Sequence, residues 1–348
     1  MRMENINKIN APLDSSKKSV YPKIVDKHNR SFNYLRLALN EYCNLRCIYC
    51  MPEEGLPLRN KNELLSKQEI KKLIKVSAQL GVSKIRFTGG EPLLRKDISE
   101  LVKYAVSLNG IDSVNLTTNG ILLNKYLKDF ELAGLTGINI SLDTLRPDRF
   151  IKITRRDNLR EVLDNIQLAI KSNIASIKIN VVVMRDFNHD ELIDFINLTI
   201  ENDITVRFIE LMPFDSHQIW KTGKFYKSKD ILKDIQEISN KIKLIDGSNT
   251  EYYALQIQGA KGKVAVIPSY TRSLCGKCNR IRITADGKLL NCLYSEDGFN
   301  LKTIIQNGGT DEEVRSIILK SFVNKYKDGW LAQNSSENQR ESMSQIGG

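Results

Sequence analysis

Leu35-Arg36-Leu37-Ala38-Leu39-Asn40-Glu41-Tyr42-Cys43-Asn44-Leu45-Arg46-Cys47-Ile48-Tyr49-Cys50 delivers a short apolar segment to three thiols spaced C-x3-C-x2-C. Leu35 to Leu39 reads as a strand, and the cysteine stretch as a loop wrapped around a metal centre. Three thiolates are one short of the four that usually hold a [4Fe–4S] cluster. That deficit leaves one iron without a protein ligand, much as catalytic zinc sites keep one position free. The plainer alternative is a structural metal site that borrows its fourth ligand elsewhere.

Outward from this stretch the chain alternates. Ser66-Lys67-Gln68-Glu69 is a capping box, and its helix shows Ile70, Leu73, Ile74, Ala78 and Leu80 on one face before Gly81. Lys84 to Thr88 reads as a strand cut short by Gly89-Gly90-Glu91-Pro92. A helix over 98–108, a strand over 114–117, a helix over 125–133 and a strand over 138–142 follow. The helix over 159–171 carries an apolar stripe; a strand over 177–183, a helix over 192–200 and a strand over 205–209 complete the run. Six strands with helices between them predict a parallel sheet, here an α/β fold of the partial (β/α)6 TIM-like barrel type. Chemistry in such folds gathers at the C-terminal ends of strands. There the sequence places the first cysteine triplet, Gly89-Gly90-Glu91, Thr117-Thr118-Asn119, Ser141 with Asp143, and Glu210-Leu211-Met212-Pro213.

After Pro213 the pattern changes to a helix over 228–238 and short β-like segments. A hairpin from Arg280 to Cys292 turns at Asp286-Gly287, and Thr310-Asp311-Glu312-Glu313 is a second capping box. We expect a polar N-terminal extension over 1–31, a barrel over 32–213, a C-terminal domain over 214–333, and a flexible tail over 334–348 ending in Gly347-Gly348.

The 348 residues are 41% hydrophobic and 27% charged, an ordinary globular composition long enough to bury a core. No apolar run approaches the roughly 18 residues of a membrane span. Residues 1–20 lack the apolar segment of a secretory signal and include Glu4 and Asp14, which transit peptides tend to lack. They read as a disordered extension of a cytoplasmic protein. The net charge of +11 points to an anionic partner, nucleic acid or a small polyphosphate. No basic block interleaved with aromatics marks a nucleic-acid face.

All six cysteines fall into two triplets. Cys275, Cys278 and Cys292 repeat the three-thiol count as C-x2-C-x13-C. Grouped thiols without a secretory signal read as metal ligands in a reducing compartment. His28, His189 and His217 match no ligand spacing.

The first triplet, with aromatic Tyr49 before its last cysteine, resembles the radical S-adenosylmethionine (SAM) superfamily signature. Gly89-Gly90-Glu91-Pro92 resembles that superfamily's GGE motif, in which glycines let backbone approach the ligand closely. The second triplet, Cys278-Asn279-Arg280-Ile281-Arg282, Cys50-Met51-Pro52 and the terminal Gly-Gly are similar to the GTP 3′,8-cyclases of molybdenum cofactor biosynthesis, from about Phe32 to Gly348. The resemblance implies two [4Fe–4S] clusters: one on Cys43, Cys47 and Cys50 that binds SAM, and one on Cys275, Cys278 and Cys292 that meets the guanine of GTP. It implies a lyase in which a 5′-deoxyadenosyl radical abstracts the ribose 3′ hydrogen and C3′ attacks C8. The product is (8S)-3′,8-cyclo-7,8-dihydroguanosine 5′-triphosphate, which a cyclic pyranopterin monophosphate synthase then converts. An electron donor such as flavodoxin or ferredoxin and a homodimer come with the family; nucleic acid and membrane do not.

Carried over by motif, Tyr49, Gly90, Ser141 and Met212 match SAM positions. Arg36, Arg86, Thr117, Lys178, Arg280, Ile281 and Arg282 match GTP positions, with Arg36, Arg280 and Arg282 in catalytic roles. Gly347 and Gly348 match a tail that enters the active site. Elementary chemistry agrees: GTP carries about four negative charges, and arginines offer bidentate phosphate contacts. A single arginine would more often be a surface ion pair; four in register with the motifs favour an anion site. Lys178 stands in a strand interior, where a lysine is rare without a partner. Ala38-Leu39-Asn40-Glu41-Tyr42 departs from the Ser/Thr and Asp-Arg that the family often has before its first cysteine. Rival readings are a peptide-modifying radical SAM enzyme with an auxiliary cluster, which would carry more C-terminal cysteines, and a non-enzymatic Fe–S or zinc protein that binds nucleic acid.

Overall fold

The computed structural model describes residues 22–57, 59–212, 223–238, 242–245, 252–272, 274–295 and 298–335. Pro213, Gly347 and Gly348 lie outside them, as do residues 1–21. The N-terminal part runs β1 (Tyr34–Ala38), α1 (Lys67–Gln79), β2 (Lys84–Thr88), α2 (Ile98–Val106), β3 (Ser113–Thr118), α3 (Leu127–Ala133), β4 (Gly137–Ser141), α4 (Pro147–Thr154), α5 (Leu159–Ile170), β5 (Ser176–Val183), α6 (Leu192–Glu201) and β6 (Ile204–Glu210). There follow α7 (Ser228–Ile238), β7 (Ile242–Ile245), β8 (Tyr253–Ile257), β9 (Lys263–Ile267), β10 (Arg280–Ile283), β11 (Lys288–Leu290), β12 (Gly298–Asn300), α8 (Leu301–Gln306), α9 (Asp311–Val323) and α10 (Gly329–Asn334).

The six strands of the alternating pattern pair in parallel and in chain order, as expected. The sheet does not close into a barrel. It is an open twelve-stranded sheet in the order β12-β11-β10-β1-β2-β3-β4-β5-β6-β9-β8-β7. The C-terminal half supplies both margins: β10 lies parallel to β1, and β9 lies parallel to β6. The hairpin foreseen near Asp286-Gly287 is β10 and β11, antiparallel.

Both capping boxes form. Ser66 caps α1 with Glu69 at its third position, and Thr310 caps α9 with Glu313. The sequence reading missed α4, which has no side-chain cap and begins on Pro147. Its Pro-Asp-Arg-Phe-Ile-Lys-Ile-Thr mixes a good first-turn residue with β-branched residues that weaken helical propensity. Tertiary packing supplies what propensity lacks, since Phe150, Ile153 and Thr154 are buried.

Alternation along each strand divides the sheet into two faces. Leu35, Leu37, Ile85, Phe87, Leu116, Ile138, Ile140, Ile179, Val206 and Phe208 point to one face and form a single core with the helices. The opposite face is polar. One row across it is Arg282, Arg36, Arg86 and Asn115, matched in register on four adjacent strands. A second row is Thr117, Asn139, Lys178 and Thr205, and a third begins Ser141, Asn180, Arg207.

The stretch expected as a polar extension packs from residue 22 onward. Ile24 and Phe32 are buried, and Val25 bridges to Ser31. Arg30 ties this strap to the C-terminal half. Its Nε donates to Asp26 at 2.6 Å, and its Nη atoms donate to the carbonyls of Cys275, Tyr326 and Lys327 at 2.6 to 2.9 Å. Burial raises the Asp26 pKa, but hydrogen bonds from Arg30 and His28 and the Arg30 charge outweigh it and hold the carboxyl below its ordinary value.

Removing one partner of a buried ion pair costs about 3–5 kcal/mol, and the Asp26 carboxylate is fully buried. Arg30→Ala is therefore expected to destabilise the chain by about that amount at neutral pH, measured by urea denaturation. Because the folded pKa of Asp26 is depressed, its contribution is present above the ordinary carboxylate range and is lost as pH falls through the depressed value. The parent should thus lose more stability on acidification than the variant. A loss under about 1 kcal/mol at neutral pH would contradict the role of this tether.

Candidate active site

The polar face and the strand C-termini enclose a cavity of about 340 Å³, lined by both cysteine triplets. That is the size of a small-molecule site. Arg36, Tyr49, Arg86, Gly90, Thr117, Ser141, Met212, Arg280 and Arg282 all reach its wall. Two expected residues do not. Ile281 points to the opposite face and packs in the core, leaving its backbone as what it offers the site. Lys178 shares the face of Asn180 and Val182, which line the cavity, but sits deeper in β5.

The first thiol loop is fixed from three sides. Its backbone pairs with the end of α4: Arg46 N–H donates to Thr154 O at 3.0 Å and Ile48 N–H to Ile153 O at 2.9 Å. Arg155, in the left-handed region at φ 56°, donates to Arg46 O at 2.8 Å. Gly89 and Gly90 press against the segment before the loop. A Cβ on Gly90 would stand 2.2 Å from Tyr42 O, and one on Gly89 2.4 Å from Asn40 O. Only glycine allows that approach. Tyr49 Oη donates to Asp143 Oδ2 at 2.6 Å, and Asp143 Oδ1 accepts from Val182 N–H at 2.7 Å.

Glu91 organises the same rim. It is buried and accepts from Leu93 N–H at 3.0 Å, Asn119 N–H at 2.7 Å and Thr118 Oγ1 at 2.7 Å. Asn119 Nδ2 in turn lies 3.9 Å from Cys43 Sγ. Burial, then the Glu91 charge, pushes the Cys43 thiol up to about 12, and burial pushes Cys47 up as well.

The second triplet has the opposite surroundings. Cys275 and Cys278 flank a 3-10 turn before β10, and Cys292 follows β11. Burial raises the Cys278 pKa, but Lys325, Arg280, Arg282 and backbone hydrogen bonding outweigh it and bring the thiol down to about 7. Glu210 anchors this side. Its Oε1 accepts from Ser228 N–H at 2.6 Å, and its Oε2 accepts from Tyr270 and Thr271 N–H at 2.8 Å each. One buried carboxylate thus joins β6, α7 and the turn that leads to Cys275.

Among the described residues, no group of three His, Cys, Asp or Glu side chains converges as a single metal ion requires. A cubane cluster makes a different demand, because each thiolate binds its own iron.

Between the triplets lies the arginine row. Arg86 is buried, and its Nε and Nη2 have no hydrogen-bond partner among the described residues. Burial, then the charges of Arg36 and Arg280, push Arg282 well below its ordinary value. Such a row is complementary to a polyanion. The sequence reading did not single out Arg207, Arg272 or Lys325, all buried on the cavity wall. For Arg207 a signal existed: like Lys178, it is a basic residue inside a strand. Arg207 Nε donates to Asn180 Oδ1 and Nη2 to Asn139 Oδ1, both at 2.8 Å. Arg272 and Lys325 sit in a turn and beyond a helix end, where nothing in the pattern marks them.

The Radical SAM superfamily model matches residues 38–199, and the Molybdenum Cofactor Synthesis C model matches 204–330. A GTP 3′,8-cyclase of Chlorobaculum tepidum is 40% identical over 93% of this chain and 97% of its own length. One of Peptoclostridium acidaminophilum is 42% identical over 93% and 98%. Molybdenum cofactor biosynthesis protein 1 of Drosophila melanogaster is 42% identical over 87% of this chain and 54% of its own. Among solved structures, Streptococcus suis SuiB bound to S-adenosylmethionine overlays 90% of this chain and 71% of its own with a TM-score of 0.63. At 14% identity that likeness speaks to the fold.

Burial pushes Glu91 up to about 7, against its three donors, from an ordinary 4.5. Between those values the folded chain holds a proton that the unfolded chain has released, so stability falls as pH rises across the window. Glu91→Gln should flatten that fall in the metal-free chain, followed by urea denaturation at a series of pH values. Equal slopes in parent and variant would show that Glu91 does not titrate this way.

Proposed function

The chain belongs to the GTP 3′,8-cyclase family of the radical SAM superfamily, and from that premise we propose that it converts GTP to (8S)-3′,8-cyclo-7,8-dihydroguanosine 5′-triphosphate, the first step of molybdenum cofactor biosynthesis. Superfamily membership brings a [4Fe–4S] cluster and SAM. Cys43, Cys47 and Cys50 suit that cluster: three thiols share a cavity wall with the glycine cradle, and the fourth position is left to SAM. When bound, the reduced cluster and SAM supply a carbon radical able to abstract a ribose hydrogen.

The protein's own part is positioning. Asp143 fixes Tyr49, and Glu91 fixes the Thr118-Asn119 rim beside Cys43. We assign Tyr49, Gly90, Ser141 and Met212 to SAM. Met212 packs against the same Tyr294 and Ala332 cluster as Cys292 and Leu293 of the other triplet, so SAM and substrate would meet there. Cys275, Cys278 and Cys292 would hold a second [4Fe–4S] cluster whose open iron takes the guanine. Their cationic surroundings suit an anionic cluster, as the low Cys278 value reflects.

The observation that carries the substrate reading is the arginine row. Arg36, Arg86 and Arg282, with Arg280 and Thr117, would hold the triphosphate across the sheet and keep the ribose between the triplets. The buried, unmatched donors of Arg86 need an acceptor, and a phosphate oxygen provides it. Arg36, Arg280 and Arg282 would take catalytic roles. Residues 32–213 would thus act as the SAM-binding part and 214–333 as the substrate part, with the tail carrying Gly347 and Gly348 entering the cavity. The product passes to a cyclic pyranopterin monophosphate synthase, a flavodoxin or ferredoxin supplies electrons, and the enzyme works in the cytoplasm, as a homodimer. Among the described residues, no helix is long and apolar enough to cross a membrane.

Anaerobic reconstitution followed by iron counting and assay with GTP, SAM and a reductant tests the reading. About eight irons per chain and a cyclised GTP product are expected; about four irons, or SAM cleavage with GTP unchanged, would sink it. Cys275→Ala should retain reductive SAM cleavage yet lose cyclisation, and normal cyclisation would refute the second cluster. Arg86→Met removes charged hydrogen bonds worth about 1.5–3 kcal/mol. Its GTP affinity, measured by equilibrium binding to the reconstituted enzyme, should fall about tenfold to a hundredfold, and an unchanged affinity would remove Arg86 from the site.

A further inference from the structure

Arg272, like Arg207 and Lys325, is a buried cation on the cavity wall that the substrate reading leaves without a task. It is 5% exposed and adopts a φ of 56°, in the left-handed region that a non-glycine residue rarely occupies. Its carbonyl accepts from Cys275 N–H at 3.0 Å, so the same turn presents Arg272 and the first thiol of the second triplet. The guanidinium carbon lies 3.5 Å from the Tyr294 ring centroid and 3.8 Å from that of Trp330. Both rings therefore lie within cation–π distance of the guanidinium. Nη2 donates to Gln333. Nε and Nη1 are buried without a hydrogen-bond partner, and Arg272 forms no ion pair among the described residues.

The buried Nε and Nη1 donors of Arg272 call for an acceptor in the guanidinium plane. The packing around it is tied to the thiols. Tyr294 stands two residues after Cys292 and packs against it. A Cβ on Gly329 would lie 2.7 Å from Tyr294 and 3.0 Å from the Arg272 side chain, so this packing closes only over glycine. Tyr294 thus joins the cation to a cysteine of the triplet.

We propose that Arg272 is a positioning residue whose buried charge and in-plane N–H groups raise the reduction potential of an iron–sulfur cluster held by Cys275, Cys278 and Cys292. The inference rests on the assignment of that second cluster. Cluster potentials respond to nearby charge and to hydrogen bonds at sulfur. A fixed positive charge favours the reduced, more negative cluster, so losing it lowers the midpoint.

The test uses the full chain with Cys43, Cys47 and Cys50 changed to alanine, so that only the second site can load. After anaerobic reconstitution, iron is counted and the midpoint is read by redox titration with electron paramagnetic resonance, without SAM or GTP. Failure of this parent to hold iron would overturn the second-cluster assignment itself. With the parent loaded, Arg272→Met should retain iron and show a more negative midpoint, and Arg272→Lys should fall between. An unchanged or more positive midpoint in a loaded Arg272→Met overturns the proposal. If Arg272→Met does not load, Arg272→Lys decides: a midpoint below the parent supports the proposal, whereas a parental midpoint, or failure to load as well, overturns it.

Discussion

Three arginines stand side by side on the polar face of the sheet. Arg282, Arg36 and Arg86 occupy matched positions on β10, β1 and β2, so their side chains emerge in one row. Like charges in directly opposed positions of a sheet destabilise it, and here burial adds to the cost. The fold bears that cost because the other face of the same strands is a continuous apolar core. Such a row is complementary to a polyanion, and it lines the same cavity as the two thiol triplets.

The two thiol triplets differ in what surrounds them. Beside the first stand Glu91 and Asp143, and burial with these charges pushes the Cys43 and Cys47 thiols up. Beside the second stand Lys325, Arg280 and Arg282, and Cys278 titrates near neutrality. Metal binding must displace thiol protons; within the second triplet the cations bring Cys278 down, while burial raises Cys275. Each triplet is positioned by one buried carboxylate. Glu91 gathers backbone and hydroxyl donors at the first rim, and Glu210 gathers three backbone N–H groups behind the second. Each carboxyl gathers its donors from separate segments and so ties them together.

The alternating strands and helices were legible because the periods of 2 and 3.6 are written locally. Both capping boxes, the glycine cradle and the two cysteine spacings were legible for the same reason: each is a short-range geometric requirement. α4 was not, because its stability comes from burying Phe150 and Ile153 rather than from its own propensity. Nor was the part played by residues 22–33, whose polar composition hides the Arg30 tether to carbonyls some 250–300 positions away. Arg272 and Lys325 escaped notice because their significance lies in the rings and thiols around them.

The sequence by itself determined the six-strand alternating unit, the two three-thiol sites and most residues on the cavity wall, since spacing and periodicity are properties of the chain. Only the tertiary structure decided that the sheet stays open and that the C-terminal half adds parallel strands to both of its margins. It alone decided that arginines far apart in sequence fall into one register, and that Ile281, between two cavity arginines, faces the core. The physical reason is that strand pairing is set by non-local hydrogen bonds and by the burial of a shared apolar face, neither of which leaves a mark at any single position.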